Sequence, residues 1–176
     1  MSTVRFDQWQ NNDGLTYGTV LQGQFATSGF VNQTIVSSIL QPLSGMEVTI
    51  VPLNNNSRFL ITAMITASWT YVASAALFRN GLSVVSRNSG TNRQTGNTGG
   101  AMWTTYRSML GTSGSNVHTW PITYLDSPGL AAGSPIRYQI YANAGWDGGT
   151  NTFYFNNRNS QDMLGSSTIS VWEIQT

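Results

Sequence analysis

One histidine, His118, seven carboxylates and no cysteine are the whole stock from which a catalytic or metal site would have to be built. With one imidazole, no two-histidine metal site can form, and a zinc site would need carboxylates around that single ring. A serine triad needs an oriented acid and an exposed nucleophile. Asp126 lies near the end of the segment that carries His118, but no GxSxG nucleophile motif accompanies it. Glycoside hydrolysis needs two carboxyl groups about 5 to 10 Å apart. Of Asp7, Asp13, Glu47, Asp126, Asp147, Asp162 and Glu173, only Asp147 and Asp162 sit in loops that can be brought together. Asp147 precedes Gly148 and Gly149, where aspartate is a good turn residue on its own account. Glu173, on the last β-prone run, reads as an edge charge that discourages sheet addition. The glycines are turn glycines, and none forms a phosphate-cradling loop. The inventory points to a chain that is not an enzyme and carries no cofactor or metal ion.

The aromatic residues suggest binding instead. Trp103, Trp120, Trp146 and Tyr154 offer flat apolar faces with a polar handle, the equipment of a carbohydrate-stacking platform. Most such residues serve equally well in a core or an interface. Trp146 stands apart because it lies in the glycine-rich Gly145–Gly149 connection beside Asp147. Only 9% of residues are charged, against about 25% in an ordinary soluble domain. The surface must therefore be covered by Ser, Thr, Asn, Gln and Gly, which gives copies little long-range repulsion and permits self-assembly. All eight basic residues are arginines, spread from Arg5 to Arg158, and the net charge is +1. A nucleic-acid binder needs clustered positive charge, so that partner is set aside. No run of 18 apolar residues marks a membrane span, and the first residues lack the layout of a signal peptide.

These features must be positioned by strands. The 176 residues fit one domain, and no amphipathic helix is evident. Arg58–Trp69 alternates Phe59, Ile61, Ala63, Ile65, Ala67 and Trp69 against Leu60, Thr62, Met64, Thr66 and Ser68, a period of two that predicts a strand. Its odd face belongs in a core. Its half-apolar even face meets a second sheet or a neighbouring subunit. Asn80-Gly81 predicts a type I′ hairpin between Ala75–Arg79 and Leu82–Ser86. Arg87–Gly100 contains no apolar residue and must be an exposed loop. A polar loop of that length is usually functional or mobile. Further strands are predicted at Val20–Thr27, Thr34–Ser38, Met46–Val51, Met102–Met109, Val117–Leu125, Pro135–Ala142, Thr152–Asn156 and Ser167–Ile174. The count and spacing suit a β-sandwich or jelly roll. Residues 1–18 read as a polar arm outside the sandwich of residues 19–176. Its isolated aromatics Phe6, Trp9 and Tyr17 either dock into a partner or pack on their own domain.

Several short motifs occur in order along residues 39–174. They include Ile39–Leu43, Met46–Pro52, Arg58–Ile61, Leu77–Gly81, Tyr124–Pro128 and Gly165–Ile174. In this sequence of motifs the chain resembles a family of tailed-bacteriophage virion proteins common in cyanophages, whose chains end in a GxSTIxVxEI strand. Ser57-Arg58-Phe59 and Trp172 depart from that family's pattern. The resemblance implies an all-β, jelly-roll-like antiparallel sandwich with a short N-terminal arm. It implies a location in the virion and a homo-oligomer, expected to be a trimer, joined to other virion proteins. The expected role is a tail-fibre or receptor-binding component, with a capsid decoration protein as the alternative and a glycan depolymerase as a third. In that role Phe6, Trp9 and Tyr17 attach to the particle, and Leu60 and Met64 form the trimer face. Arg87, Asn92, Arg93, Gln94, Asn97, Trp146 and Asp147 then meet a host glycan or protein.

Overall fold

A computed structural model describes residues 20–29, 31–70, 72–84, 103–106, 117–144, 151–158 and 164–175. The described residues contain no helix. They form eleven strands: β1 (Val20–Gly29), β2 (Gln33–Ile35), β3 (Gln41–Ile50), β4 (Arg58–Trp69), β5 (Val72–Arg79), β6 (Leu82–Ser83), β7 (Trp103–Tyr106), β8 (His118–Asp126), β9 (Ile136–Asn143), β10 (Phe153–Phe155) and β11 (Ser166–Ile174). All pairings are antiparallel.

Strand β4 is the axis of one sheet. Along one edge it pairs with β11 and, further on, with β10; along the other it pairs with β8. β1 lies outside β11, and β2 lies outside β10. The second sheet runs β3–β9–β5, with β6 and β7 sharing the far edge of β5. Treating the short β2, β6 and β10 as extensions of their neighbours leaves two four-stranded sheets, β1–β11–β4–β8 and β3–β9–β5–β7. Consecutive strands repeatedly cross between them, and the first strand neighbours the last. This is the double Greek key of a jelly roll, and the protein is an all-β jelly-roll sandwich.

The core lies between the sheets. From β4 the odd residues Phe59, Ile61, Ala63, Ile65, Ala67 and Trp69 all point into it. They meet Ile136, Tyr138, Ile140 and Ala142 of β9, Leu43, Met46, Val48 and Ile50 of β3, and Leu77 of β5. Asn80 (φ 49°) and Gly81 (φ 82°) both adopt the left-handed conformation that a type I′ turn demands. The Asn80 side chain also accepts the Arg137 amide at 2.8 Å, tying the turn to β9. β3 starts five residues earlier than its apolar run suggests. Gln41 and Pro42 pair with Ala142 and Tyr141 before a bulge resets the register. Gly45, at φ 73°, lies close against Ser28 of the opposite sheet.

Two carboxylates stitch this sandwich together. Asp126 ends β8, one residue beyond the predicted strand Val117–Leu125, and is buried. It accepts Arg79 Nη1 through both oxygens, at 2.7 and 2.8 Å, and the Tyr138 hydroxyl at 2.7 Å. One side chain of the first sheet thus grips β5 and β9 of the second. Burial and the hydrogen bond to Asp126 push the Tyr138 phenol well above its ordinary pKa, so it stays a neutral donor.

Glu173 does not guard an edge. β11 is flanked by β1 and β4, and Glu173 points inward with no exposed surface. Its oxygens accept the amides of Leu53 and Asn54 and the side chain of Gln22, holding the 51–57 connection over the end of the core. Burial pushes its pKa upward, but hydrogen bonds from Ser57, Gln22, Asn54 and Leu53 outweigh that and hold it below the ordinary 4.5. The charged form is therefore the one the fold stabilises.

Asp126→Ala leaves an arginine and a buried hydroxyl without their acceptor and should cost about 3 kcal/mol. The midpoint of urea unfolding measures this, and an unchanged midpoint would show that the link between sheets is dispensable. Glu173 has a lowered folded pKa, so its stabilisation is complete above pH 4.5 and disappears as the pH falls through the folded value. Urea titrations between pH 6 and 2 should lose part of this acid sensitivity in Glu173→Gln.

Candidate functional site

The pairings that bury one face of β4 also define what lies on the other. Side chains directly opposite each other across paired strands share a face, so the register gives the outer surface row by row. The first row is Gly23, Trp172, Leu60 and Leu125. The second is Phe25, Ser170, Thr62 and Thr123; the third is Thr27, Thr168, Met64 and Pro121. Thr66 and Thr119 begin a fourth. No position in these rows is charged. Among the described residues of β4, the exposed Arg58 stands on the same face at its rim.

Large apolar side chains stand out from this surface. Phe25 is 81% exposed, Met64 45%, Trp172 44% and Leu125 41%. Leu60 is half-buried among them. Leu60 and Met64 thus lie where the alternation of β4 places them, two rows apart on a face directed away from the second sheet. Some of the polar groups between them are engaged with one another. Thr62 Oγ1 and Ser170 Oγ are 2.7 Å apart, and Trp172 Nε1 donates to Ser170 Oγ at 3.2 Å. Thr66 Oγ1 lies 3.2 Å from Thr119 Oγ1 and donates to the Ser166 carbonyl at 2.8 Å.

Trp172 is positioned by an absence. A Cβ on Gly23 would come within 2.5 Å of its Cε3 and Cζ3 atoms. Glycine in mid-strand normally weakens a sheet; here it leaves room for the indole to lie over β1. Phe25 and Trp172 went unnoticed as surface residues in the sequence. The readable signal was in β11, where Trp172 stands on the face of Thr168 and Ser170 while Glu173 stands on the face of Ile169 and Val171. That inversion of polarity marks both residues as special.

The other sequence-derived sites fare differently. Trp120 faces inward from β8, packed on Trp69 at a ring separation of 4.2 Å. Tyr154 sits opposite Ser68, on the outer face of the same sheet. The two cannot share one stacking platform. For Trp103 the structure describes only the backbone, paired with Ala75. His118 packs between Trp69 and Trp120 at 5.3 and 5.4 Å. Eight residues of extended strand, about 27 Å, separate it from Asp126. Among the described residues, no three His, Asp or Glu side chains come together as a metal site. Phe6, Trp9 and Tyr17, and the loop residues Arg87, Asn92, Arg93, Gln94, Asn97, Trp146 and Asp147, lie outside the described residues, as does Asp162.

No protein-family model and no curated protein matches this chain. Among solved structures it is similar to that of the infectious bursal disease virus Gt strain, with 11% identity and a TM-score of 0.40 over 100% of this chain and 43% of that one. It is also similar to T=1 particles derived from infectious bursal virus, with 10% identity and a TM-score of 0.39 over 98% of this chain and 40% of that one. Dimeric latent PorU from Porphyromonas gingivalis gives 10% identity and a TM-score of 0.36 over 96% and 14% of the two chains. The chain spans less than half the length of each. The strand pairings, rather than these likenesses, define the fold.

Replacing Gly23 with valine should lift the indole of Trp172 off β1, because the added carbons occupy its place. Acrylamide quenching of the tryptophan fluorescence should increase relative to the parent chain, with little change in melting temperature since the ring is at the surface. Unchanged quenching would mean that the indole does not depend on Gly23.

Proposed function

We propose that this chain is a structural component of a virion that acts by assembling with copies of itself, as a trimer, and not by catalysis. The observation that carries the reading is the charge-free outer face of the β1–β11–β4–β8 sheet. A monomer that remains apart in solution rarely groups several exposed large apolar side chains on one uncharged face without a use for them. The low overall charge removes the repulsion that would oppose association. Asp126 and Glu173 support a non-catalytic reading, because each is committed to holding the sandwich together.

Within the virion we favour a tail-fibre or receptor-binding component over a capsid decoration protein. The support is the resemblance of the ordered motifs from Ile39–Leu43 to Gly165–Ile174 to those of cyanophage virion chains. In this role the arm of residues 1–18 joins the particle, and the loops at Arg87–Gly100 and Gly145–Gly149 meet the host surface. Several copies per particle convert weak polar contacts at those loops into strong adsorption by avidity.

Light scattering of the purified full-length chain is the direct test. A mass three times that of the 19.2 kDa chain is expected, and it should persist when residues 1–18 are removed. A monomer at every concentration up to the solubility limit would overturn the assembly reading.

A further inference from the structure

We propose that the occupant of the outer β1–β11–β4–β8 face is a second copy of this chain, with Phe25, Met64 and Trp172 as the principal contacts. This rests on the reading of the protein as self-assembling, and it specifies where the copies meet. Three properties of the face select that occupant.

The first is charge. A face without a charged side chain in its rows offers nothing to pair with an acidic or basic partner, and a charged partner would lose hydration on docking without compensation. Its match is another uncharged surface, and this chain, only 9% charged, supplies one in every copy.

The second is the state of the hydroxyls. Ser170 already holds both Thr62 and the Trp172 indole. These groups can be removed from water with their hydrogen bonds intact, so burial under an apolar neighbour costs little.

The third is area. Four strands and seven residues of each span roughly 19 by 24 Å, about 450 Å² of plane before side-chain relief is added. With an equal area of the neighbouring copy, the contact approaches the roughly 1,000 Å² at which specific protein interfaces begin. Phe25, the most exposed of the described large apolar side chains, stands on the outermost strand and can insert into the neighbour. Aromatic side chains that become fully desolvated are the usual energetic centres of such contacts.

The test is light scattering over a dilution series of the full chain and of Phe25→Glu, Met64→Glu and the double variant, with Leu82→Glu as control. Leu82 is also well exposed, at 75%, but lies on β6 in the other sheet. Each single face variant should raise the concentration for half-assembly at least tenfold, and the double variant should be monomeric; Leu82→Glu should match the parent chain. Circular dichroism checks folding. If a glutamate variant fails to fold, Phe25→Ser replaces it, since that side chain contributes little to the core. Acrylamide quenching gives a second readout on the unmodified chain, because the Trp172 component should become shielded as concentration drives assembly. Face variants that keep the parent's mass, or quenching indifferent to assembly, would overturn this assignment while leaving self-assembly intact. A parent chain that is always monomeric would overturn both. Binding of a glycan or another protein to the face of a monomeric chain would also count against it.

Discussion

Strand β4 is hydrogen-bonded along both edges, to β10 and β11 on one side and β8 on the other, for nearly all of its twelve residues. A strand paired on both sides cannot rotate or slip by one residue without exchanging its two faces. The six apolar odd positions leave only one energetically acceptable choice, with those residues between the sheets. Every neighbour in register then inherits the same division. Thus Ile169 and Val171 of β11, and Ile122 of β8, enter the core, while Trp172, Phe25 and Leu125 are carried outward with Leu60 and Met64.

The inward half of this division accounts for the fold's stability, and its polar members show how the ends are closed. Asp126 and Glu173 occupy inward positions at the same end of neighbouring strands, opposite Phe59 on its two sides. Each would be costly there if unpaired. One is neutralised by Arg79 and reaches across to the second sheet through Tyr138. The other is surrounded by amides of the 51–57 connection. At the other end, buried Asn156, in the left-handed conformation at φ 53°, joins β10 to β11. Its side-chain amide donates to Ser28 and to the Val31 carbonyl, and its oxygen accepts Ser167 Oγ at 2.6 Å. The jelly roll is thus an apolar slab closed at both ends by satisfied polar groups.

The outward half is where function resides in the proposed reading. A surface carrying Phe25, Met64, Leu125 and Trp172 is poorly suited to permanent exposure, and the internal satisfaction of Thr62 and Ser170 makes it suited to burial. A structural role and a catalytic one make different demands on a protein of this composition. Catalysis needs titratable groups left available, whereas both described inward carboxylates are consumed by architecture.

Much of this was legible along the chain. The period of β4, the Asn80-Gly81 turn, and the existence of β1, β8, β9 and β11 follow from alternation and turn chemistry, which are local properties. So does the assignment of Leu60 and Met64 to the face opposite the core, since period two places them there whatever β4 packs against. What could not be read was which distant residues join them. Gly23, Phe25, Trp172 and Leu125 lie more than thirty residues from β4 in sequence, and only the register of long-range pairing puts them in adjacent rows. The same reason explains Glu173. As a residue near the end of the chain it resembles an edge charge; as the neighbour of Phe59 beneath the amides of Leu53 and Asn54 it is a buried clasp. Local alternation determined the face each side chain takes, and tertiary pairing alone decided the company it keeps there.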